Sequence, residues 1–265
     1  MFERQPAVAG MFYPAEPDKL KASIEQYLQE ANPVSTESGN NIPKALIVPH
    51  AGYIYSGPIA ASAFAQLKNL KNIIKRVVLL GPSHRVPVLG LAASSADHFL
   101  TPLGAIDIDK SAVEQVIQLP QVHIMDEAHS LEHSLEVQLP FLQECLGSFK
   151  LVPLVVGDAN SDTVANVLNL LWGGPETLIV ISSDLSHYHS YEQARLMDEK
   201  TAHAIESFAD EEIDYDDACG RNPVKGLLKA AAEHHLHIAR LDLRNSGDTA
   251  GSKDQVVGYG AWILN

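Results

Sequence analysis

Short apolar runs alternate with longer amphipathic segments along most of the chain. Continuous apolar runs are typical of buried strands, and apolar positions repeating every three or four residues are typical of helices. We predict strands at 45–48, 77–80, 151–156, 178–181, 238–243 and 256–264. We predict helices at 17–31, 57–67, 130–146, 162–172, 191–208 and 224–235. Pro140 is expected to kink or split the third of these helices, because proline lacks the amide hydrogen that a helix interior needs.

This order of elements predicts an α/β fold. Buried strands that alternate with helices favour a mixed, largely parallel central sheet with helices on both faces. The last two predicted strands follow each other with no helix between them, so part of the sheet is expected to be antiparallel. The only segment typical of a linker is 32–43 (NPVSTESGNNIP), and we therefore predict a single domain over 1–265.

Charge and composition exclude several classes of protein. The chain has 265 residues, 46% of them hydrophobic, and 33 acidic against 19 basic residues give a net charge of −14. This charge disfavours nucleic acid and anionic membranes as partners. No apolar run is long enough for a membrane helix, and the N-terminus lacks the apolar core of a signal peptide. We therefore predict a cytoplasmic location, with Cys145 and Cys219 as reduced thiols or metal ligands.

Histidines follow three of the predicted strands. His50 comes after ALIVP, His84 after the GPS that follows VVLL, and both Asp184 and His187 after LIVISS. Ligands of open α/β sheets bind at the carboxyl ends of the strands. The three imidazoles are therefore expected to converge on one crevice.

Two further patterns bear on metal binding. Cys219 lies just before a predicted helix start, with Arg221 nearby, and both features favour a thiolate. Separately, His129, Glu132 and His133 form an H-x-x-E-H pattern, which on a helix would be a zinc-peptidase site. That alternative would leave the three strand-end histidines without a role.

Five motifs occur in a fixed order along the chain. They are PHAGY at 49–53, GPSH at 81–84, EHSLE at 132–136, SSDLSH at 182–187 and CGR at 219–221. In this order they resemble the MEMO family, that is, the mediator of ErbB-driven cell motility and its bacterial and archaeal relatives. The resemblance extends over nearly the whole chain, from GMFY at 10–13 to GYGA at 258–261.

The resemblance implies a fold like that of class III extradiol dioxygenases, whose non-haem iron lies at the carboxyl ends of the strands. Carried over to this chain, His50, His84 and Cys219 are the implied metal ligands, with iron expected before copper or zinc. His187 is the implied acid–base residue, and Asp184 is expected to fix its tautomer. The further implied pocket or ligand-orienting residues are His133, Glu136, Tyr53, Ser83 and Arg85.

Two classes of function remain open at this point. The first is a metal-dependent oxidoreductase that acts on a small phenolic or peptide substrate. Because Cys219 replaces the carboxylate of the dioxygenases, ring cleavage does not follow from the fold. The second is a non-catalytic protein that handles metal or binds a (phospho)peptide in the same cleft. The resemblance also implies a radical-SAM protein and an AMMECR-type protein as partners.

Overall fold

The computed structural model describes residues 2–31 and 42–265. The predicted linker falls at 32–41 outside the described residues. Helices are α1 Pro17–Glu30, α2 Tyr53–Phe64, α3 Lys110–Val116, α4 Asp126–Ser130, α5 Leu139–Leu146, α6 Ser161–Leu171, α7 Tyr191–Glu206 and α8 Arg221–Glu233. Strands are β1 Glu3–Arg4, β2 Ala45–Val48, β3 Arg76–Pro82, β4 Leu91–Ala93, β5 His98–Thr101, β6 Gly104–Ile108, β7 Val122–Ile124, β8 Lys150–Val156, β9 Thr177–Ser182, β10 His187–His189, β11 Ile238–Asn245 and β12 Val256–Leu264.

In the described part of the chain these strands join into one sheet. Its main path runs β1-β5-β6-β8-β3-β9-β2-β12-β10, with β11 paired to β12, and with β4 paired to β8 and β7. The four central strands β8, β3, β9 and β2 are parallel. Strand β12 is antiparallel to both β2 and β11. The predicted fold class, a mixed and largely parallel sheet flanked by helices, is confirmed.

The central strands carry continuous apolar runs because both of their faces are buried. All four residues of β2 and all six of β9 are buried. The sheet places β9 between β3 and β2, so the carboxyl ends of these three strands lie side by side. Among the described residues, no helix is both long and apolar enough to cross a membrane.

The single helix predicted over 130–146 is wrong. Helix α4 ends at Ser130, a 3-10 turn covers Glu136–Gln138, and α5 begins only at Leu139. Pro140 lies in the first turn of α5, where a missing amide hydrogen costs nothing. Between the two helices, side chains replace the helical hydrogen bonds: the Glu132 carboxylate accepts from the backbone N–H groups of 133 and 134.

The region 91–124 holds elements that the apolar pattern did not predict. Strands β4 to β7 and helix α3 are short, and β5 and β6 alternate buried with exposed positions. Runs of three to five residues give too few periods to distinguish a strand from a loop. These strands extend the sheet away from the three strand ends that carry the histidines.

Candidate metal centre

The three adjacent strand ends place polar side chains in one crevice. His50 follows β2, His84 follows β3 and Asp184 follows β9. The loop between α4 and α5 adds His133 from above β3. Gly81 allows this close approach, because a Cβ atom there would lie 2.8 Å from Ser134 Oγ.

Three imidazoles lie close enough together to hold a metal ion. One ring nitrogen each from His50, His84 and His133 lies within 4.8 Å of the other two. The rings of His84 and His133 are stacked with centroids 4.7 Å apart, and His50 meets both rings edge-on at 5.2 and 5.5 Å. Three converging nitrogens are a ligand set used by zinc, copper and iron sites.

Hydrogen bonds to Ser182 define the tautomer of His50. Ser182 Oγ donates its one hydrogen to Ser134 O, 2.6 Å away, so it accepts from His50 Nδ1 at 2.9 Å. The Nε2 lone pair of His50 therefore stays free. Burial lowers the pKa of His50 well below its usual value, and the nearby His84 and His133 rings act in the same direction. The ring is thus held neutral, as a metal ligand must be.

Glu132 fixes the orientation of the His84 ring by accepting from its Nδ1 atom. His84 Nδ1 donates to Glu132 Oε1 over 2.9 Å, and the His84 backbone N–H donates to Oε2 over 2.6 Å. A carboxylate only accepts, so Nδ1 carries the hydrogen of this bond and Nε2 is the ring atom left to face a metal. Although burial alone would raise the pKa of Glu132, these bonds from His84 lower it to about 2. A carboxylate behind a ligating imidazole is a common orienting partner of metal sites.

The third imidazole is the least satisfied. His133 Nδ1 lies 3.3 Å from Glu132 Oε1 but is buried without a hydrogen-bond partner among the described residues. Phe12 packs against the other side of the cluster, with its ring centroid 4.8 Å from that of His133. Burial lowers the pKa of His133, so this ring is also held neutral.

Cys219 reaches the cluster through His50. Its Sγ atom lies 3.4 Å from His50 Nε2 and 3.6 Å from the carbonyl oxygen of Asp184. Gly220 brings α8 this close to β9, since a Cβ atom there would lie 2.6 Å from Ser183 Cβ. We expected the helix start to favour a thiolate, but burial raises the pKa of Cys219. In the absence of a metal, the thiol keeps its hydrogen and can donate it to His50 Nε2.

Comparison with known proteins identifies the family. A model of the family described as "Memo-like protein" matches residues 4–263. The chain belongs to this family. Curated relatives named "MEMO1 family protein" include one from Aquifex aeolicus, 37% identical over 97% of each chain, and one from Aeropyrum pernix, 38% identical over 97% of this chain and 98% of the relative.

A solved structure extends the comparison to the fold. The crystal structure of an uncharacterized protein from Escherichia coli K12 matches with a TM-score of 0.53, covering 83% of this chain and 99% of the other. Only 14% of aligned residues are identical, so this likeness is one of fold. The Memo-family chain therefore has a known architecture, and its chemistry has to be argued from its own side chains.

Asp184 and His187 occupy the β9 side of the crevice in this family member. Asp184 Oδ1 accepts the backbone N–H of His50 over 2.7 Å, and Oδ2 lies 4.0 Å from His50 Nε2. We expected Asp184 to fix the tautomer of His187, but the carbonyl oxygen of Leu185 does so, accepting from His187 Nδ1 over 2.8 Å. His187 lies on the bulged strand β10, beside Tyr188 with φ +61°.

Three of the expected pocket residues support the loops around the crevice. Tyr53 is buried and donates its hydroxyl hydrogen to Val137 O over 2.8 Å. Ser83 donates to Val86 O and closes the loop after β3. Arg85 is exposed on that loop, and its charge contributes to the lowered pKa of His133.

Glu136 lies in a separate buried network. Its carboxylate pairs with Arg4 and accepts the backbone N–H groups of Ala7 and Val8 over 2.7 and 3.0 Å. Arg4 also donates to the carbonyl oxygens of His129 and Glu132. Glu136 therefore fastens the N-terminal segment to the loop that carries His133, instead of lining the crevice.

The zinc-peptidase alternative does not fit this geometry. Helix α4 ends at Ser130, so His129 and His133 do not share a helical face. His129 Nε2 donates to Ala92 O over 3.0 Å, and burial lowers its pKa to about 4. Glu132 is fully engaged with His84 and the adjacent backbone.

The sequence did not predict that His133 joins His50 and His84, or that Glu132 bonds to His84. Neither residue follows a strand, so the rule that found His50 and His84 does not reach them. The adjacent Glu-His pair inside the EHSLE motif was the available signal. The H-x-x-E-H interpretation assumes that 129–133 are helical, but α4 ends at Ser130.

Proposed function

We propose that this protein binds one transition-metal ion through His50, His84 and His133, with Cys219 as a further donor. The observation that carries the proposal is the convergence of three imidazole nitrogens within 4.8 Å. This donor set adds His133 to the His/His/Cys set that the family resemblance implies.

The hydrogen-bond pattern around the rings fits a metal. The Nδ1 atoms of His50 and His84 donate to Ser182 and Glu132, so Nε2 is the atom of each ring that could bind a cation. His133 keeps a buried nitrogen without a protein partner, which is costly unless another group satisfies it. Imidazoles next to a thiol suit Fe(II), Zn(II) or copper better than magnesium or calcium.

We further propose that the site supports metal-dependent oxidation of a small phenolic or peptide substrate, with iron as the first candidate. When bound, the metal would supply a Lewis acid or a redox centre. His187 would take a proton from the substrate at Nε2, because Leu185 O holds its Nδ1 hydrogen. Asp184 would keep the loop of His50 in position through the His50 backbone N–H.

The test is the metal content of protein purified without oxygen and then reconstituted separately with Fe(II), Cu(I) and Zn(II). We expect about one metal per chain in the wild type and a loss of metal in His50→Ala, His84→Ala and His133→Ala. His187→Ala is the matched control: it removes an imidazole from the same crevice and should retain the metal while losing turnover.

Two outcomes would contradict the proposal. If no metal is retained by the folded wild type, the site does not bind one. If His133→Ala keeps full occupancy while Cys219→Ser loses it, the ligands are His50, His84 and Cys219 instead. Circular dichroism of each variant shows whether loss of metal follows from loss of fold.

A second candidate function is metal handling without catalysis. The thiol of Cys219, 3.4 Å from a ligand nitrogen, favours a soft ion such as Cu(I). Tight Cu(I) binding with no oxygen uptake in the presence of phenolic substrates would support this function over oxidation. The cytoplasmic location, the single domain and the partners of radical-SAM and AMMECR type stay predictions.

A further inference from the structure

A cleft of about 390 Å³ adjoins the metal centre. It lies between the loop that follows β3, the end of β8 and the start of α8. Cys219 both lines this cleft and contacts His50 Nε2, so the cleft leads to the imidazole cluster. Its volume is at the small end of the range for ligand pockets, which suits a ring-sized molecule.

The walls of the cleft are fixed by hydrogen bonds across the three segments. Asn222 Nδ2 donates to Gly157 O over 2.8 Å and ties the start of α8 to the end of β8. The backbone N–H of Asp158 donates to Val88 O over 2.8 Å, and that of Gly90 donates to Asp158 O over 2.9 Å. A preformed cleft binds a ligand without a large ordering cost.

Most side chains along the walls are apolar. The loop after β3 contributes Val86, Val88 and Leu89, and α8 contributes Pro223. Leu89 is 79% exposed, so its side chain is available for contact with a ligand. These side chains provide an apolar surface for the body of a ligand.

Arg221 gives the cleft a positive charge without an ion-pair partner. Salt bridges in the described part of the chain engage five arginines, namely Arg4, Arg76, Arg195, Arg240 and Arg244. Arg221 is half-buried, and its guanidinium carbon lies 4.5 Å from the ring centroid of Tyr215. In a chain of net charge −14, a cleft-lining guanidinium that pairs with no carboxylate of residues 2–31 and 42–265 indicates an anionic ligand.

One acidic residue also lines the cleft. Asp158 is exposed, so water and salt screen its charge. Arg221, by contrast, is half-buried and packs against the Tyr215 ring, so its charge is screened less by water than that of Asp158.

We propose that this cleft binds a small monocarboxylate with an apolar, ring-sized body. Arg221 would hold the carboxylate, and Val86, Val88 and Leu89 would contact the ring. The proposal deepens the proposed function, because it names the substrate class that would reach the metal centre past Cys219.

Calorimetric titration of the metal-free protein tests the cleft separately from the metal. The probes are phenylacetate, its uncharged isostere phenylacetamide, and phenyl phosphate. We expect phenylacetate to bind at least about tenfold more tightly than phenylacetamide, as is typical of a charge-assisted, two-pronged contact. We expect Arg221→Gln to weaken phenylacetate binding about tenfold. Arg221→Lys keeps the charge but not the two-pronged contact, so its affinity should lie between those of Arg221→Gln and the wild type.

Two further variants control for loss of charge elsewhere and for poor folding of the Arg221 variants. Arg195→Gln removes an exposed arginine on α7 and should bind phenylacetate like the wild type. Leu89→Asp adds a negative charge at an exposed position that folding does not depend on, and it should weaken binding even if Arg221 variants fold poorly.

Three results would overturn the proposal: no phenylacetate binding at millimolar concentration, equal binding of acid and amide, or tighter binding of phenyl phosphate. A protein that binds phenylacetate but retains no metal would instead refute the metal centre and leave the cleft standing. A protein that retains metal but does not bind phenylacetate would refute the cleft proposal and leave the metal centre standing.

Discussion

The two sides of the crevice shift the pKa values of buried carboxyl groups in opposite directions. On the loop between α4 and α5, the pKa of Glu132 is lowered to about 2. On the β9 side, the pKa of Asp184 is raised, and that of Asp198 on α7 is raised to about 6. All three side chains are buried, with residue exposures of 2 to 4%.

The number of hydrogen-bond donors explains the difference. Burial opposes ionisation in every case. Glu132 offsets it by accepting from the His84 ring and from three backbone N–H groups. Asp198 accepts the Ser186 backbone N–H over 3.1 Å and packs against Gly258, where a Cβ atom would lie 2.1 Å from its Oδ2 atom.

This difference separates two tasks within one crevice. The Glu132 side stays ionised over the ordinary pH range, so it can hold imidazoles in a ligating orientation. On the β9 side the pKa values of the carboxyl groups are raised, and His187 lies on the strand that follows β9. We infer that Glu132 keeps its charge to orient His84, and that proton transfer takes place on the β9 side.

The largest expected effect comes from breaking the ion pair between Arg4 and Glu136, which fastens the N-terminal segment to the loop between α4 and α5. Glu136→Gln removes the charge that pairs with the buried Arg4, and an unpaired buried charge costs about 3–5 kcal/mol. We expect this loss in the free energy of unfolding measured with urea. Glu114→Gln, at an exposed position on α3, is the control and should change stability by less than about 0.5 kcal/mol. A stable Glu136→Gln protein would show that the N-terminal segment does not fasten the loop.

A smaller, pH-dependent effect probes the β9 side through Asp198→Asn. The folded-state pKa of Asp198 is raised to about 6, so the folded protein binds this proton more tightly than the unfolded chain. Its stabilising contribution is therefore present at low pH and lost as the pH rises from about 4 through 6.

Asparagine can still accept the Ser186 N–H but does not ionise. We expect the stability of Asp198→Asn relative to wild type to increase by about 2 kcal/mol between pH 4.5 and 7.5. Urea unfolding at both pH values measures it, with the exposed Asp18→Asn as control. A pH-independent difference would mean that Asp198 is not the group that titrates.

The third expected effect is a loss of metal affinity when the Glu132 carboxylate behind His84 is replaced. Glu132→Gln keeps the shape of the side chain but removes the charge that orients His84. Loss of such an orienting partner typically lowers metal affinity about 10–100-fold. Competition with a chelator of known affinity measures the change, and Glu114→Gln again serves as control. Unchanged affinity would indicate that the Glu132 carboxylate supports the loop without tuning the ligand.

The sequence predicted the part of the site that depends on sheet topology. Parallel strands must end at the same edge, so His50, His84 and Asp184 follow from the apolar runs that precede them. Strands β2 and β12 have the predicted bounds because their apolar runs are continuous.

The loop side was not predictable in the same way. The leucine spacing in 131–142 predicts a helix, but the Glu132 carboxylate accepts the backbone N–H of Ser134, and Ser134 Oγ donates to Pro82 O at the end of β3. Those bonds depend on β3 lying next to the loop, which is a tertiary contact without a local signal. The tautomer of His187 likewise depends on the Leu185 carbonyl, which only the turn after β9 places within reach.

The most direct test of the account is anomalous diffraction from crystals loaded with Zn(II) or Fe(II), recorded at the absorption edge of the metal. We predict one strong peak within about 2.0–2.4 Å of ring nitrogens from His50, His84 and His133. A peak bound to Cys219 but not to His133, or no peak in the crevice of a fully folded protein, would contradict the central claim.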